Sequence, residues 1–306
     1  MWFEGIEKKL EIVLQSSHRA LRQNKTCWQD VVRACGAKII GYTTTKEMDA
    51  YLLSESSLFV WDDRILMITC GKTRLIDSVF SVLKYVPSQK ILQLFYERKN
   101  LMFPKEQCSD FEADVAKLSE VFPGKSFRFG AANAEHIHVF VYGEPIKNSA
   151  QDSTLQILMS NVGNRATVAF SKNTKSTEAS ISWRQELFKP FFEMIKEEFY
   201  FSPQGYSCNF VQKDQYMTMH VSPQSESSYT SFEMNLVHTT EKNIIKTVLQ
   251  SFEPQNVFMA VTTTLDSISM IAHEQICVPQ GYKIVGRGMY EFENGYMLTY
   301  INLIQL

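Results

Sequence analysis

The sequence predicts an α+β fold in which helices cover one side of an antiparallel sheet, an arrangement that the chain has room to repeat. Alternation of apolar and polar residues, the pattern typical of strands, dominates the chain. Helical periodicity occurs in only three stretches, and strands and helices do not alternate regularly enough for a doubly wound parallel sheet. The dipeptide Asn294-Gly295 is the strongest short-range hairpin signal and favours antiparallel pairing near the end of the chain.

The strand predictions follow from period-2 patterns such as Leu10, Ile12 and Leu14, which alternate with less apolar residues. In chain order they cover residues 10–15, 38–42, 51–60, 64–69, 136–142, 216–221, 228–236 and 257–263, followed by the terminal hairpin. The order of strand and helix over residues 51–85 is loosely repeated over residues 216–252. This repetition indicates two similar halves, although the residue identity between them is weak.

Three amphipathic stripes predict helices. Residues 111–122 form the clearest one, with Ser109 and Glu112 as a capping box before it and Pro123-Gly124 ending it. Residues 75–83 and 245–252 form the other two, and each follows a strand. The polar segment 163–178 is rich in Ser, Thr and Lys, so it is predicted to be a mobile surface loop.

Composition places the chain among ordinary globular proteins. It has 306 residues, 44% of them hydrophobic, and a formal net charge of -2 with a pI near 6.3. Disorder would need fewer apolar residues, and a nucleic-acid partner would favour a basic excess that is missing here. No apolar run is long enough to span a membrane and the first residues lack the features of a signal peptide, so we expect no membrane partner and a cytoplasmic location.

The six cysteines show no metal-type spacing and are expected to be thiols in a reducing compartment. Five are interpreted as buried small hydrophobes, and only Cys70 is considered for chemistry. His136 and His138 alternate along one strand, but no third ligand follows from the spacing. A solvated strand face explains them better than a metal site, and no metal is expected.

One polar block stands out between two apolar strand-like runs. Residues 54–57 read Ser-Glu-Ser-Ser, where a turn would normally contain Gly, Pro or Asn. The structural interpretation is a bulge or the serine-rich end of a hairpin, and from the pattern alone it has the larger weight. The functional interpretation is a self-cleaving serine, which needs a hydroxyl beside a strained peptide bond and groups that stabilise an oxyanion. Nucleotide-binding and serine-hydrolase motifs are absent from the sequence.

The chain resembles the eukaryotic-type, pyruvoyl-dependent S-adenosylmethionine decarboxylases nearly from end to end. Each matching motif is weak alone, but eight occur in the family's order. They are Phe3-Glu4-Gly5-x-Glu7-Lys8, Tyr51 to Val60, Thr69-Cys70-Gly71, Phe95-Tyr96-x-Arg98-Lys99-Asn100, Thr154-Leu155-x-Ile157-Leu158-Met159-Ser160, Gly205-Tyr206-Ser207, His220-Val221-x-Pro223 and Ser228-Tyr229-x-Ser231-Phe232-Glu233-x-Asn235.

The resemblance implies a fold and a maturation reaction. The fold is a four-layer α/β-β/α sandwich of two antiparallel sheets with helices on the outer faces, in a single domain of residues 1–306. Ser56 attacks the Glu55 carbonyl, and the chain is cut into a small chain 1–55 and a large chain 56–306. Ser56 thereby becomes a pyruvoyl cofactor. Ser207 hydrogen-bonds the intermediate and His220 removes the α-proton, a role that suits a histidine whose pKa is near neutrality.

The resemblance also implies roles in turnover. The activity is decarboxylation of S-adenosylmethionine, which gives the aminopropyl donor for spermidine and spermine synthesis. The pyruvoyl carbonyl is the electron sink, and Cys70 returns a proton to the α-carbon. The adenine is stacked between Phe3 and Phe201, with the catalytic carboxylate of Glu7 nearby and backbone contacts around Leu53 and Glu55. Gln224 stands where the family has a ribose-binding carboxylate, so it forgoes a charge-assisted contact.

Putrescine is the effector that the resemblance suggests. Family members that respond to this diamine hold it in a buried acidic cluster, where Asp152 and Glu233 keep carboxylates here. Gln156 replaces a glutamate and Ile68 replaces a lysine, while Glu97 could restore the missing charge. Because a buried dication needs paired charges, weak or absent stimulation is expected.

Two alternatives remain open from the residues. A pyruvoyl decarboxylase of another amino acid, such as ornithine or arginine, would keep Ser56 and Cys70 and is supported only by Gln224. A silent regulatory homologue would have no reason to keep all the reactive residues. The two chains of the precursor stay partners, and the protein could form a homodimer.

Overall fold

A computed structural model describes residues 5–15, 19–146, 152–202, 204–224, 227–235, 241–265 and 278–306. The chain divides into two compact units, the first of residues 1–129 and 136–146 and the second of residues 130–135 and 147–306. Each unit contains one antiparallel sheet with its own helices. The predicted α+β class and the predicted second copy of the sheet are therefore confirmed.

The described part of the first unit forms an eight-stranded sheet in the order β2-β3-β4-β5-β1-β6-β8-β7. Its strands are β1 (Lys8–Leu14), β2 (Ile39–Thr44), β3 (Met48–Leu53), β4 (Ser56–Trp61), β5 (Arg64–Thr69), β6 (Ile91–Lys99), β7 (Lys125–Phe129) and β8 (Ile137–Gly143). Its helices are α1 (Arg19–Arg22), α2 (Lys25–Ala34), α3 (Leu75–Val82) and α4 (Phe111–Ser119), with short 3-10 turns at Ser88–Lys90 and Pro104–Glu106.

The described part of the second unit forms another eight-stranded sheet, in the order β10-β11-β12-β13-β9-β14-β16-β15. Its strands are β9 (Ser153–Ser160), β10 (Ile195–Tyr200), β11 (Tyr206–Gln212), β12 (Gln215–Ser222), β13 (Tyr229–Met234), β14 (Asn256–Thr264), β15 (Tyr282–Glu291) and β16 (Tyr296–Gln305). Its helices are α5 (Asn164–Ala169), α6 (Glu178–Phe188) and α7 (Glu241–Phe252), with a 3-10 turn at Lys189–Phe191.

The two sheets share one topology. In each, the first strand of the unit lies in the middle, between the fifth and sixth strands in chain order. The segment β4-β5-α3 occupies the same place in its sheet as β12-β13-α7 does in the other. The weak repetition seen in the sequence thus corresponds to a repeated architecture.

Each sheet buries alternate side chains beneath its helices. In the first unit, Leu10 and Ile12 of β1 pack with Trp28 of α2 and Val79 of α3 in one apolar cluster. In the second, Met217 and Met219 of β12 pack with Leu249 and Phe252 of α7. Because successive strand residues point to opposite faces, the residues between them lie on the other face, where the polar side chains of interest are found.

Two predictions about helices need correction. Helix α4 is capped by Asp110 and not by Ser109, because the Asp110 carboxylate accepts a hydrogen bond from the backbone N–H of Ala113 at 2.7 Å. The segment 163–178, predicted to be a loop, contains helix α5. Ala166, Ala169 and Phe170 are buried in the second unit, and this anchoring outweighs the polar composition.

The described cysteines are free thiols, as expected, but Cys108 is exposed and not buried. Cys277, which was also predicted to be buried, lies outside the described residues. No helix among those described is both long and apolar enough to cross a bilayer.

Candidate active site

The Ser-Glu-Ser-Ser block is the end of a tight hairpin. The sequence suggested one strand over residues 51–60, but the structure has two, β3 and β4, joined by the two-residue turn Ser54-Glu55 with Leu53 opposite Ser56. Two-residue turns normally carry their positive φ angles within the turn. In the described residues of this hairpin the positive φ falls instead on Ser56, at 130°, a conformation that costs on the order of 1–3 kcal/mol for a residue with a side chain.

The second unit contains a hairpin with a two-residue turn at the matching place. Strands β11 and β12 are joined by Lys213-Asp214, with Gln212 opposite Gln215. There the positive φ lies within the turn, at Lys213. The displaced torsion at Ser56 is therefore a property of the β3–β4 hairpin and not of the shared topology.

Three strands bring reactive groups to the Glu55–Ser56 peptide. Ser56 is opposite Thr69 of β5, and Thr69 is also opposite Lys8 of β1. Cys70 follows β5 directly, and its backbone N–H donates to the Glu55 carbonyl oxygen at 2.9 Å. Its Sγ lies 3.5 Å from the same oxygen. A carbonyl held in this way is polarised for attack.

The hydroxyl on the other side of the peptide bond is also held. Ser56 Oγ donates to Glu7 Oε1 at 3.4 Å, and both residues are buried. Glu7 immediately precedes β1, so the central strand of the sheet fixes its position. The structure thus brings together four predicted residues, Glu7, Glu55, Ser56 and Cys70, within the first unit.

Lys8 supports the site through hydrogen bonds that the sequence did not predict. Its buried Nζ donates to the carbonyls of Gly71 at 2.9 Å and Thr73 at 2.7 Å, which fixes the turn that carries Cys70. A buried lysine needs such acceptors, because an uncompensated buried charge costs several kcal/mol or more. The signal was available, since Lys8 belongs to the motif at the start of the chain.

Burial sets the charge of Glu55. It raises the pKa of the Glu55 side chain to about 7, while the nearby Lys8 ammonium partly offsets the shift. At neutral pH this side chain is therefore protonated in a large fraction of molecules.

The second group of predicted residues lies in the second unit. Ser207 of β11 and His220 of β12 are opposite one another, and Ser207 Oγ lies 3.0 Å from His220 Nδ1. Thr218 Oγ1 lies 2.9 Å from the other ring nitrogen, Nε2. Burial lowers the pKa of His220 to about 3, well below the near-neutral value expected from the sequence. His220 is therefore a neutral imidazole.

The described residues among the predicted nucleoside contacts belong to both units. Phe201 is half-buried after β10, with its ring edge-on to Phe199 at 4.9 Å. Gln224 is half-buried after β12, and its Oε1 accepts from Ser227 Oγ at 3.0 Å. The Leu53 side chain belongs to the apolar core, so only its backbone is available for a ligand. Phe3 lies outside the described residues.

The predicted diamine residues are mostly buried and engaged. Asp152 Oδ2 accepts from the Tyr296 hydroxyl at 2.8 Å, and Glu233 Oε1 accepts from the Tyr216 hydroxyl at 2.7 Å. Gln156 is directly opposite Glu233 on the neighbouring strand. These positions belong to the second unit, whereas Glu97 lies in the first, opposite Lys9 of β1. Ile68 is also opposite Lys9, on the other side of β1.

Among the described residues, no group of three or more His, Cys, Asp or Glu side chains is arranged to hold a metal ion. His136 and His138 contact each other edge to face at 5.1 Å, and His138 stacks on Phe111 at 5.0 Å.

Comparison with known proteins gives a consistent result. The sequence profile of a family described as adenosylmethionine decarboxylase matches residues 1–303. The S-adenosylmethionine decarboxylase proenzyme of Trypanosoma cruzi is 30% identical over 98% of this chain and 88% of its own length. The proenzyme of Drosophila melanogaster is 29% identical over 85% of this chain and 82% of its own length. The proenzyme of Leishmania donovani is 28% identical over 99% of this chain and 86% of its own length.

A solved structure shows the same fold. The Trypanosoma brucei AdoMetDC-delta26 monomer superposes with a TM-score of 0.63 at 22% identity, covering 81% of this chain and 99% of that one. At this identity the likeness concerns the architecture alone.

The neutral state of His220 can be measured directly. Because burial lowers its pKa from 6.5 to about 3, we expect its ring signals in NMR spectra of histidine-labelled protein to stay unchanged from pH 8 to about pH 5. The folded protein then binds fewer protons than the unfolded chain, so its stability falls as the pH decreases from 6.5 towards 3. A His220→Gln spectrum identifies the signal, and a titration midpoint near 6.5 would contradict the assignment.

Proposed function

The chain belongs to the adenosylmethionine decarboxylase family, and we propose that it makes its own pyruvoyl group by cutting the peptide bond between Glu55 and Ser56. It is an enzyme that releases carbon dioxide from S-adenosylmethionine and so forms the aminopropyl donor for spermidine and spermine synthesis. The proposed products of cleavage are a small chain 1–55 and a large chain 56–306. The profile match over residues 1–303 supports treating the chain as one decarboxylase domain.

One observation carries the proposal of cleavage at Ser56. The Glu55 carbonyl accepts the Cys70 N–H at 2.9 Å, while the next residue, Ser56, holds a strained φ of 130°. The hydrogen bond stabilises negative charge that develops on the oxygen, and breaking the peptide bond releases the strain. These residues also suit the cofactor, since Ser56 supplies its carbon atoms in a buried place.

The proposed maturation has three steps: formation of an ester, elimination and release of ammonia. Ser56 Oγ attacks the Glu55 carbonyl carbon, the new C–O bond replaces the C–N bond, and the Ser56 nitrogen takes the hydroxyl proton. His220 then removes the Ser56 α-proton, and the Glu55 carboxylate leaves with the former hydroxyl oxygen. Addition of one water releases the nitrogen as ammonia. Ser207, hydrogen-bonded to His220, is proposed to donate to the oxyanion of the first step.

Turnover needs a proton donor, and Cys70 is proposed for it. The pyruvoyl carbonyl supplies an electron sink for loss of carbon dioxide. The Cys70 thiol lies 3.5 Å from the Glu55 carbonyl oxygen and therefore beside the residue that becomes the cofactor. A thiol is mostly protonated near neutrality yet acidic enough to transfer its proton.

For substrate recognition we infer the contacts that the family motifs suggest. Phe201, together with Phe3, stacks on the adenine, Glu7 and the backbone at Leu53 and Glu55 lie beside the nucleoside, and Gln224 contacts the ribose. The half-exposed Phe201 ring supports this assignment, since a sulfonium cation is also attracted to aromatic faces. The three relatives from Trypanosoma cruzi, Drosophila melanogaster and Leishmania donovani are all S-adenosylmethionine decarboxylase proenzymes. They give no support to decarboxylation of ornithine or arginine, or to a silent regulatory role.

Two further inferences concern the surroundings of the enzyme. The free thiols favour a reducing compartment and therefore the cytoplasm. The edge strand β15 exposes Ile284, Val285 and Met289, which supports a homodimer that covers this edge.

Ser56→Ala tests cleavage. This variant lacks the attacking hydroxyl, so we expect a single uncut chain without decarboxylase activity. Wild-type protein should give two chains by denaturing electrophoresis and intact mass, the larger one lighter by one ammonia than a chain that begins with serine. Ser54→Ala is the control, because it removes the neighbouring serine hydroxyl, which accepts from the Lys38 N–H at 3.0 Å. This variant should still be cut. Cleavage of Ser56→Ala would show that the assignment is wrong.

Cys70→Ala separates the backbone role of this residue from its thiol. The backbone N–H remains, so we expect the precursor to be cut at least in part. Loss of the proton donor should slow carbon dioxide release by about 10²-fold or more. Protons delivered to the wrong carbon should leave large chains that begin with alanine, detectable by mass. The exposed Cys108→Ala serves as the control. Near-normal turnover by a lasting cofactor would remove Cys70 from this role.

Putrescine stimulation is proposed to be weak or absent. The Asp152 and Glu233 carboxylates already accept tyrosine hydroxyls, and Gln156 opposite Glu233 brings no charge to hold a dication. Millimolar putrescine should therefore change the rate of carbon dioxide release little. Butane-1,4-diol, which has the same carbon chain without the charges, is the control compound and should also have little effect. Gln156→Glu should increase any response to the diamine. Several-fold activation of the wild-type protein, in cleavage and turnover alike, would refute this expectation.

A further inference from the structure

Four buried polar side chains form a block on one face of β11 and β12. Ser207 is opposite His220 and Asn209 is opposite Thr218, and alternate residues of a strand share a face. We call Ser207, Asn209, Thr218 and His220 the polar block. The proposed reaction uses Ser207 and His220 but gives no role to Asn209 or Thr218.

The hydrogen bonds of the polar block form a continuous chain. Ser207 Oγ is 3.0 Å from His220 Nδ1, and His220 Nε2 is 2.9 Å from Thr218 Oγ1. Thr218 Oγ1 in turn donates to Asn209 Oδ1 at 2.9 Å, with the Cys208 carbonyl oxygen at 3.3 Å as another acceptor. Each ring nitrogen of the imidazole therefore faces one hydroxyl.

The single hydrogen of the Thr218 hydroxyl decides the state of the ring. Asn209 Oδ1 and the Cys208 carbonyl can only accept, so the hydroxyl gives its one hydrogen to the nearer of them, Asn209 Oδ1, and turns a lone pair towards His220. Nε2 must then carry the ring hydrogen and donate it to Thr218 Oγ1. In a neutral imidazole this leaves a lone pair on Nδ1. It accepts the single Ser207 hydrogen at rest and is bare once Ser207 turns that hydrogen to the oxyanion.

We propose that Thr218, oriented by Asn209, is a positioning residue that holds His220 in the tautomer with hydrogen on Nε2 and a lone pair on Nδ1. The inference rests on the proposed function, in which His220 accepts the Ser56 α-proton. A base must present a bare nitrogen, and the opposite tautomer would present an N–H at Nδ1. The same hydrogen bonds fix the plane of the ring.

Thr218→Val tests the inference in the maturation rate. Valine keeps the branched shape but removes the hydroxyl, and we expect cleavage of the fresh precursor to slow about tenfold or more. Thr218→Ser keeps the hydroxyl and should restore most of the rate. The matched control is Thr230→Val on the neighbouring strand β13. Its buried hydroxyl has no hydrogen-bond partner among the described residues, so cleavage should stay within about twofold of wild type.

A second measurement reads the tautomer without any reaction. Nitrogen NMR of histidine-labelled Ser56→Ala precursor, which stays uncut, should show the His220 hydrogen on Nε2, with His220→Gln identifying the signal. Adding Thr218→Val should shift the population towards hydrogen on Nδ1. An unchanged tautomer, or a Thr218→Val cleavage rate within twofold of wild type, would overturn the inference.

The two proposals fail in different ways. A wild-type chain that is never cut, or whose large chain begins with serine, contradicts the proposed maturation and leaves the tautomer measurement to decide the role of Thr218. A wild-type chain that matures normally while Thr218→Val matures equally fast contradicts the role of Thr218 alone.

Discussion

The proposed self-cleavage depends on where one hairpin places its strain. A two-residue turn joins β3 to β4, and its positive φ lies on Ser56, just after the Glu55–Ser56 peptide bond. The Cys70 N–H holds the carbonyl of that bond, and β5 can deliver this N–H because it pairs with β4 and β1 together. The buried Lys8 ammonium then secures the turn after Cys70 by bonding to its carbonyls. The residue after β5, Cys70, therefore supplies the N–H that holds the carbonyl, and the residue before β1, Glu7, supplies the carboxylate that holds the Ser56 hydroxyl.

The repeated topology supplies an internal reference for this strain. The hairpin of β11 and β12 has the same position and the same turn length, yet it keeps its positive φ inside the turn, at Lys213. The sheet architecture thus tolerates an ordinary turn at this place. The second unit instead carries its reactive groups along the strands, in the cross-strand pair of Ser207 and His220. One architecture therefore supports two kinds of site, a strained peptide in one copy and a hydrogen-bonded imidazole in the other.

The sequence predicted those parts of the fold that depend on local pattern. Alternation located most strands, and the Asn294-Gly295 turn was found because only a few residues fit such a turn. The α4 cap was misplaced by one residue, since Ser109 and Asp110 can both cap a helix and only the folded geometry selects the Asp110 carboxylate. The motifs named Ser56, Cys70, Ser207 and His220. Lys8 stands in the first of those motifs, but its hydrogen bonds to the turn after Cys70 do not follow from the motif. Asn209 and Thr218 were not singled out, because they bond to others across strands, which a linear pattern does not record.

Burial reduces the charge of Glu55 and keeps His220 neutral, and both effects favour the proposed maturation. In that proposal, attack on the Glu55 carbonyl places negative charge on its oxygen, and an ionised Glu55 side chain nearby would repel that charge. Burial raises the pKa of this side chain to about 7, which removes part of the repulsion at neutral pH. Burial also lowers the pKa of His220 to about 3, so its lone pair is available throughout the physiological range. A base of such low pKa holds a proton only weakly, so in the proposed reaction it releases readily the proton that it accepts, while the hydrogen bonds at both nitrogens keep the ring in place.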